Sequence, residues 1–326
     1  MKKLDTGNKT GAPKIIVVVG PTATGKSHLA VRLAKKFNGE IISADSRQVY
    51  RGMNIGTGKI SAREMRGIKH HLLDVASPNA AGFSGGGFNA ARFKSRAEKI
   101  IADILRRGKT PIIAGGTGFW VDAVAFNREF PDVKPNRGLR KKLEGMSEAK
   151  LFAQLKRLDP LRAKAIDPKN KRRLVRAIEI AKTGLKFKDF RHAGAPKFQT
   201  LFIGLDMPKE ILEKQILARM EKRFKQGMVR EVARLHARGA SWKILENFGL
   251  EYKFISLYLR KKISGPQTRD LLFTAIKNYA KRQRTWLKRN KSVHWLDADN
   301  KPDAFARAVK LAKDFLLWEG MKRRGR

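Results

Sequence analysis

Residues 20–27 read Gly-Pro-Thr-Ala-Thr-Gly-Lys-Ser and fit the spacing G-x-x-x-x-G-K-[ST] without a mismatch. A loop of this kind turns backbone N–H groups toward phosphate oxygens, and the helix after it adds the positive end of its dipole. Gly20, Thr22, Ala23, Thr24, Gly25, Lys26 and Ser27 are therefore expected to cradle a di- or triphosphate. Lys26 would neutralise a terminal phosphate and Ser27 would offer a hydroxyl to Mg²⁺. An apolar run before the loop and an amphipathic run after it make a chance glycine-rich turn a poor explanation. The apolar run Thr110–Ala114 ends in Gly115-Gly116-Thr117-Gly118, with no acid to help hold a metal. A motor or switch NTPase is disfavoured. A kinase, or a transferase that uses the loop to hold a pyrophosphate leaving group, fits.

A second cluster, Ser43-Ala44-Asp45-Ser46-Arg47-Gln48-Val49-Tyr50, follows another short apolar run. If both runs are parallel strands, their carboxyl ends face one crevice and Asp45 sits near the phosphate loop. It would serve there as a base or a Mg²⁺ ligand; capping a following helix is the alternative that spacing leaves open. The paired His70 and His71 invite a metal reading, but without cysteine and with six histidines a structural or substrate-contacting role fits better. Trp286 and Trp295 read as core anchors.

These residues need elements to hold them. Lys14–Val19 is a continuous β-branched run, as in a parallel strand buried on both faces. Leu29, Ala30, Leu33, Ala34 and Phe37 then fall at helical spacing. Glu40–Ala44 reads as a strand, Asn89–Arg107 as a helix and Thr110–Ala114 as a strand. The alternation predicts an α/β fold, a phosphate-loop three-layer core with a parallel sheet. Residues 135–184 show helical patterns only and predict a small all-helical insertion domain at about 129–196. It divides the core into a first part, 14–128, and a mostly helical second part, 197–318, with tails at 1–13 and 319–326. Within the second part Phe198–Leu205 and Ser292–Leu296 read as strands. Helices are expected over 208–238, 251–260, 266–290 and 302–317.

The 326 residues carry 72 Lys+Arg against 29 Asp+Glu, a net charge of +43. The excess is spread, +13 over 1–125, +12 over 126–206 and +18 over 207–326, so it is not a basic tail. It points to a polyphosphate, nucleic acid or anionic membrane as partner. With no cysteine, disulfides, thiolate zinc sites and a Cys nucleophile are excluded. The apolar run Ile15–Val19 is too short for a signal or membrane span, so a soluble cytoplasmic protein is expected. Lys277, Lys281, Arg282, Arg284, Lys288 and Arg289 crowd one side of the helix expected at 266–290, opposite the apolar Leu271, Leu272, Ala275, Ile276 and Tyr279. No acid lies between Leu271 and Arg289. Like charges at i,i+4 destabilise a helix, and a phosphate backbone would relieve them. Arg172, Arg173 and Arg176 recur on one face beside Leu174, Ala177 and Ile178.

The segments GPTATGKS (20–27), DSRQVYRGMNIGTGK (45–59), HHLLDVASP (70–78) and GGTGFW (115–120) resemble the tRNA dimethylallyltransferase family, also called tRNA isopentenyl transferases. RRLVRAIEI (172–180), RMEKRF (219–224), GMVREV (227–232) and AKRQRTWLKR (280–289) continue the likeness in order over about 20–297. The family moves a dimethylallyl group from its diphosphate to the exocyclic amine of adenine 37, the base 3′ to the anticodon. The resemblance implies that Thr22–Ser27 hold the diphosphate, with Ser27 on Mg²⁺, and that Asp45 takes the amine proton, with Thr117 in the catalytic set. It implies that Asp45, Ser46, Arg47 and Gln48 meet the target base and that Thr117 and Arg140 contact the tRNA beside it. It places Arg172, Arg173, Leu174, Val175 and Arg176 of the insertion on tRNA, with Lys281 and Arg282 on the C-terminal helix. One or both of Arg219 and Arg223 would reach the diphosphate. A stem-loop substrate needs only a monomer. Phe119-Trp120 departs from the usual Leu-Tyr, and Phe248-Gly249-Leu250-Glu251-Tyr252 from the usual Ile-Gly-Tyr-Lys-Glu. The glycine-rich Gly82–Gly87 reads as a mobile loop without chemistry.

The residue types suit this chemistry on their own terms. An aryl amine is a weak nucleophile, and its proton becomes acidic on alkylation, so a positioned carboxylate helps. Departing pyrophosphate gathers negative charge that Lys26, arginines, backbone N–H groups and Mg²⁺ can stabilise. An adenylate prenyltransferase acting on free nucleotide is the near alternative, and a small-molecule kinase the next. The first needs no tRNA surface, so Arg172–Arg176 and AKRQRTWLKR discriminate. A non-catalytic RNA-binding protein would have no use for the phosphate loop beside Asp45.

Overall fold

The computed structural model describes residues 11–80, 87–187 and 194–317. Most of Gly82–Gly87, the expected mobile loop, lies outside them, as do residues 1–10 and 318–326. Six strands form one parallel sheet in the order β3-β2-β4-β1-β5-β6. They are β1 (Lys14–Val19), β2 (Gly39–Ser43), β3 (His70–His71), β4 (Thr110–Gly115), β5 (Gln199–Asp206) and β6 (Val293–Asp297). β1 lies between β4 and β5, and Ile15 through Val19 are buried, as a run covered by helices on both faces must be. Because every pair is parallel, all carboxyl ends lie along one edge of the sheet, and the loops leaving them build a single crevice.

In the first part of the core the helices are α1 (Lys26–Lys36), α2 (Ala62–Met65), α3 (Ala90–Arg106) and α4 (Gly118–Ala125). Asn89 is not itself helical. It is the N-cap of α3, its side chain accepting the N–H of Arg92. The insertion contains α5 (Arg137–Glu144), α6 (Glu148–Leu158), α7 (Pro160–Ala165) and α8 (Lys171–Ala181). These close over their own apolar cluster, including Leu143, Leu151, Leu155, Leu174 and Ile178, separate from the main core.

After β5 come α9 (Lys209–Lys225), α10 (Met228–Ala237), α11 (Trp242–Phe248), α12 (Leu250–Leu259), α13 (Gly265–Leu287) and α14 (Lys301–Leu317). The single helix expected over 208–238 is two, interrupted at Gln226-Gly227. On α13 the buried line is Thr268, Leu272, Ile276, Ala280, Gln283 and Leu287. Leu271, placed by periodicity on the buried stripe, is exposed. The stripe is rotated because two polar residues, Thr268 and Gln283, occupy buried positions and satisfy their hydrogen bonds there.

Candidate functional site

β1 delivers the chain into the phosphate loop, and the loop fastens itself. Thr24 Oγ1 donates to the Pro21 carbonyl at 2.9 Å, and Lys26 Nζ reaches the same oxygen at 3.2 Å. Beside it opens a cavity of about 280 Å³. Thr22, Ala23, Gly25, Lys26, Ser27, Asp45, Gln48, Thr57, His70 and Arg219 are among its lining residues, with Ile41, Ile60 and Leu73 as apolar wall. Gly20 and Thr24 are not on that wall; Thr24 is buried and turned into the loop. Nor does every loop N–H face the cavity, since that of Thr22 is donated to Gln283 Oε1 at 2.8 Å.

The cations here are costly to hold without an anion. Burial, then the neighbouring Arg219, pushes Lys26 down to about 8. Burial, then Arg223, pushes Arg219 down to about 10. A multiply charged anion entering the cavity reverses both penalties. The two arginines are not equivalent. Arg219 reaches Thr22 Oγ1 at 3.5 Å and the Gly58 carbonyl at 3.3 Å. Arg223 donates to Glu251 Oε1 at 2.9 Å and the Gly56 carbonyl at 3.2 Å, and does not line the cavity. Both guanidinium groups crowd Gly58, where a Cβ would collide with them.

Sequence reasoning passed over the support of this wall. Glu231, buried on α10, accepts the N–H groups of Asn54, Ile55 and Gly56 at 2.9, 2.7 and 3.0 Å and the Tyr252 hydroxyl at 2.8 Å. It thereby fixes the loop that carries Thr57 and Gly58. The only hint was an acid in GMVREV within a basic stretch. The departure at 248–252 acquires a role here, since it supplies both Glu251 and Tyr252.

Asp45 stands beyond the end of β2. Its Oδ1 accepts the N–H groups of Arg47 at 2.9 Å and Gln48 at 3.3 Å. The capping alternative is thus half realised, with a turn in place of a helix. The Ser46 N–H donates to Thr117 Oγ1 at 3.1 Å, tying the Asp45 turn to the turn after β4. Gln48 Nε2 reaches the Thr57 and Gly58 carbonyls at 3.5 and 3.4 Å. Tyr279 was also missed; burial, then Asp45, raises its phenol well above the usual range. Among the described residues no cluster of three or more His, Asp or Glu could hold a metal by itself. The Ser27 hydroxyl on the cavity wall suits Mg²⁺ completed by waters and phosphate oxygens, the usual way this ion binds.

A wider cavity, about 580 Å³, lies between core and insertion. Arg47, Arg140, Arg172, Val175 and Arg176 line it together with Tyr50, Phe88 and Phe248. Arg47 lies over the Phe248 ring at 5.4 Å. Arg140 and Arg176 both pair with Glu179, which is buried and also accepts the Asn136 N–H at 2.6 Å. Arg173 is exposed off this wall. Leu174 is fully buried in the insertion core, so its side chain cannot meet a ligand.

The α13 cations are less alone than the sequence suggests. Arg284 pairs with Asp206 at 2.6 Å, Lys288 approaches it at 3.9 Å, and Lys277 approaches Glu213 at 3.6 Å. Carboxylates from other elements relieve much of the repulsion attributed to a missing phosphate backbone. Lys281 and Arg282 remain exposed. Trp286 is an anchor, its indole N–H donating to Asp122 Oδ2 at 3.0 Å. His71 pairs with Glu40 at 2.8 Å, away from the cavity wall that His70 helps to form. Among the described residues no helix is long and apolar enough to cross a membrane.

The family model described as IPP transferase matches residues 48–290. The chain is 39% identical over 293 residues to tRNA dimethylallyltransferase 1 of Geotalea uraniireducens, covering 88% of this chain and 94% of that one. It is 40% identical over 298 residues to the tRNA dimethylallyltransferase of Staphylococcus epidermidis, covering 88% and 87%. Among solved structures, the full-length tRNA isopentenylpyrophosphate transferase of Bacillus halodurans matches with a TM-score of 0.68 and 34% identity, covering 94% of this chain and 99% of that one. A eukaryotic dimethylallyltransferase acting on tRNA matches with a TM-score of 0.79 and 29% identity, covering 94% and 80%.

Proposed function

The chain belongs to the IPP transferase family and transfers a dimethylallyl group to tRNA; we propose that the donor is dimethylallyl diphosphate and the acceptor the exocyclic amine of adenine 37. The observation that carries this is one cavity in which a carboxylate, Asp45, faces two cations destabilised by burial, Lys26 and Arg219. The phosphate loop and Arg219 hold the diphosphate. The bond between the allylic carbon and the bridging oxygen breaks, and the adenine nitrogen forms its bond to that carbon. Asp45 receives the proton the nitrogen sheds, and diphosphate leaves. Arg219, rather than Arg223, is the arginine that meets the donor. Mg²⁺, held by Ser27 with the diphosphate and waters, would supply further neutralisation of the leaving group and leave Asp45 free to act as the base.

The acceptor base must leave its stack, which costs a few kcal/mol and less in a loop than in a duplex. The second cavity offers arginines for the backbone and aromatic rings for unstacked bases, so the anticodon stem-loop lies across it, with Arg47, Arg140, Arg172 and Arg176 as contacts. Ser46, Gln48 and Thr117 surround the entering base, and Lys281 and Arg282 grip the flank. One chain carries every group named, so a monomer suffices. The test is transfer of label from radioactive dimethylallyl diphosphate to an anticodon stem-loop with adenine 3′ to the anticodon, followed by nucleoside analysis. Label on free adenylate alone, or phosphorylation of a small molecule without transfer, would sink the reading.

A further inference from the structure

α13 does two things within one turn. Lys281 and Arg282 face outward, and the next residue, Gln283, faces inward at 7% exposure. Its Oε1 accepts the Thr22 N–H at 2.8 Å, and its Nε2 donates to the Gly116 carbonyl at 2.9 Å. Only one orientation of the amide meets a donor on one side and an acceptor on the other. Gly116 is built for this approach, since a Cβ there would run into Gln283 Nε2. One turn on, Trp286 lies against Gly118 and bonds Asp122 of α4. Arg284 fixes the helix to the carboxyl end of β5 through Asp206 and the Met207 carbonyl. The turn at 115–118 is the one whose Thr117 holds the Ser46 N–H beside Asp45.

We propose that Gln283 is a positioning residue that clasps the donor loop to the acceptor-side turn and sets their separation. The inference rests on the transferase reading above. Thr22 then serves as the anchor point for Gln283 through its backbone N–H, and the remaining loop amides face the diphosphate. In-line transfer needs the reacting atoms at about 3–3.5 Å, and a misplacement of about 1 Å costs on the order of 100-fold. The clasp therefore acts on the chemical step more than on donor affinity. It also links the outer face of α13, where RNA is gripped, to the loop that holds the leaving group.

The test is Gln283→Met, which keeps length and volume and removes both hydrogen bonds. Single-turnover transfer should fall by about 10- to 100-fold while the donor KM stays within about threefold. Gln283→Glu keeps the acceptor for Thr22 but sets a carboxylate against the Gly116 carbonyl. Its rate relative to wild type should rise as pH falls and the carboxyl gains a proton, a rescue that a purely packing role would not give. A Gln283→Met rate within about twofold of wild type, or a loss confined to donor KM, overturns the proposal. Should the variants fail to fold, hydrogen exchange on the wild-type protein decides it. The Thr22 amide should be protected before any donor is added, and unprotected exchange overturns the clasp. A wild-type protein that does not prenylate tRNA would instead defeat the transferase reading, so the two failures are distinguishable.

Discussion

In the donor cavity Lys26 and Arg219 are half-buried beside each other and beside Arg223, and desolvation together with the repulsion of neighbouring arginines weakens the protonation of both. In the wider cleft Arg140 and Arg176 share one buried carboxylate, Glu179, Arg47 lies over the Phe248 ring, and Arg172 is exposed. The first arrangement holds charge in an unfavourable state that a compact polyanion relieves. The second has already compensated part of its charge and uses the carboxylate to aim guanidinium groups. Binding in the first should respond to pH, and binding in the second to salt.

The sharpest break of this comparison removes chemistry from one region and leaves binding in both. Asp45→Asn should lower single-turnover transfer by about 10²- to 10⁴-fold, the usual worth of a positioned base. Donor and tRNA dissociation constants should stay within a few-fold. Survival of turnover within a few-fold means that Asp45 is not the base. Next comes the pair on α9. Arg219→Ala should raise the donor KM by about tenfold or more, since one good charge-assisted contact is worth about 1.5–3 kcal/mol. Arg223→Ala should act on stability instead, because it strands Glu251 in the interior, a loss of about 3–5 kcal/mol. Melting curves and donor KM for both variants separate the roles; equal effects would erase the distinction.

That distinction shows where sequence reading ends. Arg219 and Arg223 lie four residues apart on one helical face, so spacing treats them alike. What divides them is Glu251, brought from α12 by the fold. The phosphate loop and strands β1, β4 and β5 were legible because buried parallel strands are continuous apolar runs. β3 was not, because its two residues are strand only through pairing with Ile41 and Ile42. Gln283 was invisible for the same reason that α13 was misphased. A polar side chain on a buried face looks like a surface residue until its partners, Thr22 and Gly116, are brought from far along the chain.

Lys26 supplies the pH arm of the comparison. Its free-state value near 8 lies below that of an ordinary lysine, so the charged form is the one lost as pH rises. Bound diphosphate favours the charged form and draws the value upward. Donor KM should therefore be flat at neutral pH and climb above about 8, approaching tenfold per pH unit if the neutral amine does not bind. Lys26→Arg should flatten that climb, whatever it does to the absolute KM. A wild-type KM unchanged to pH 9.5 would show that burial does not tune this lysine.

The cleft yields the smallest effect and the most discriminating sign. Glu179→Gln raises the net charge of a chain already at +43 by one. If tRNA is held by the general positive field, affinity should rise slightly. If Glu179 acts by aiming Arg140 and Arg176, affinity should fall by a few-fold despite the added charge, because two side chains lose the partner that orders them. The salt dependence of binding should become shallower by about one phosphate contact. Filter binding of the stem-loop across a salt series, below the melting temperature of the variant, reads both quantities. A rise in affinity with an unchanged slope would assign the cleft's arginines to the diffuse attraction that the whole surface exerts.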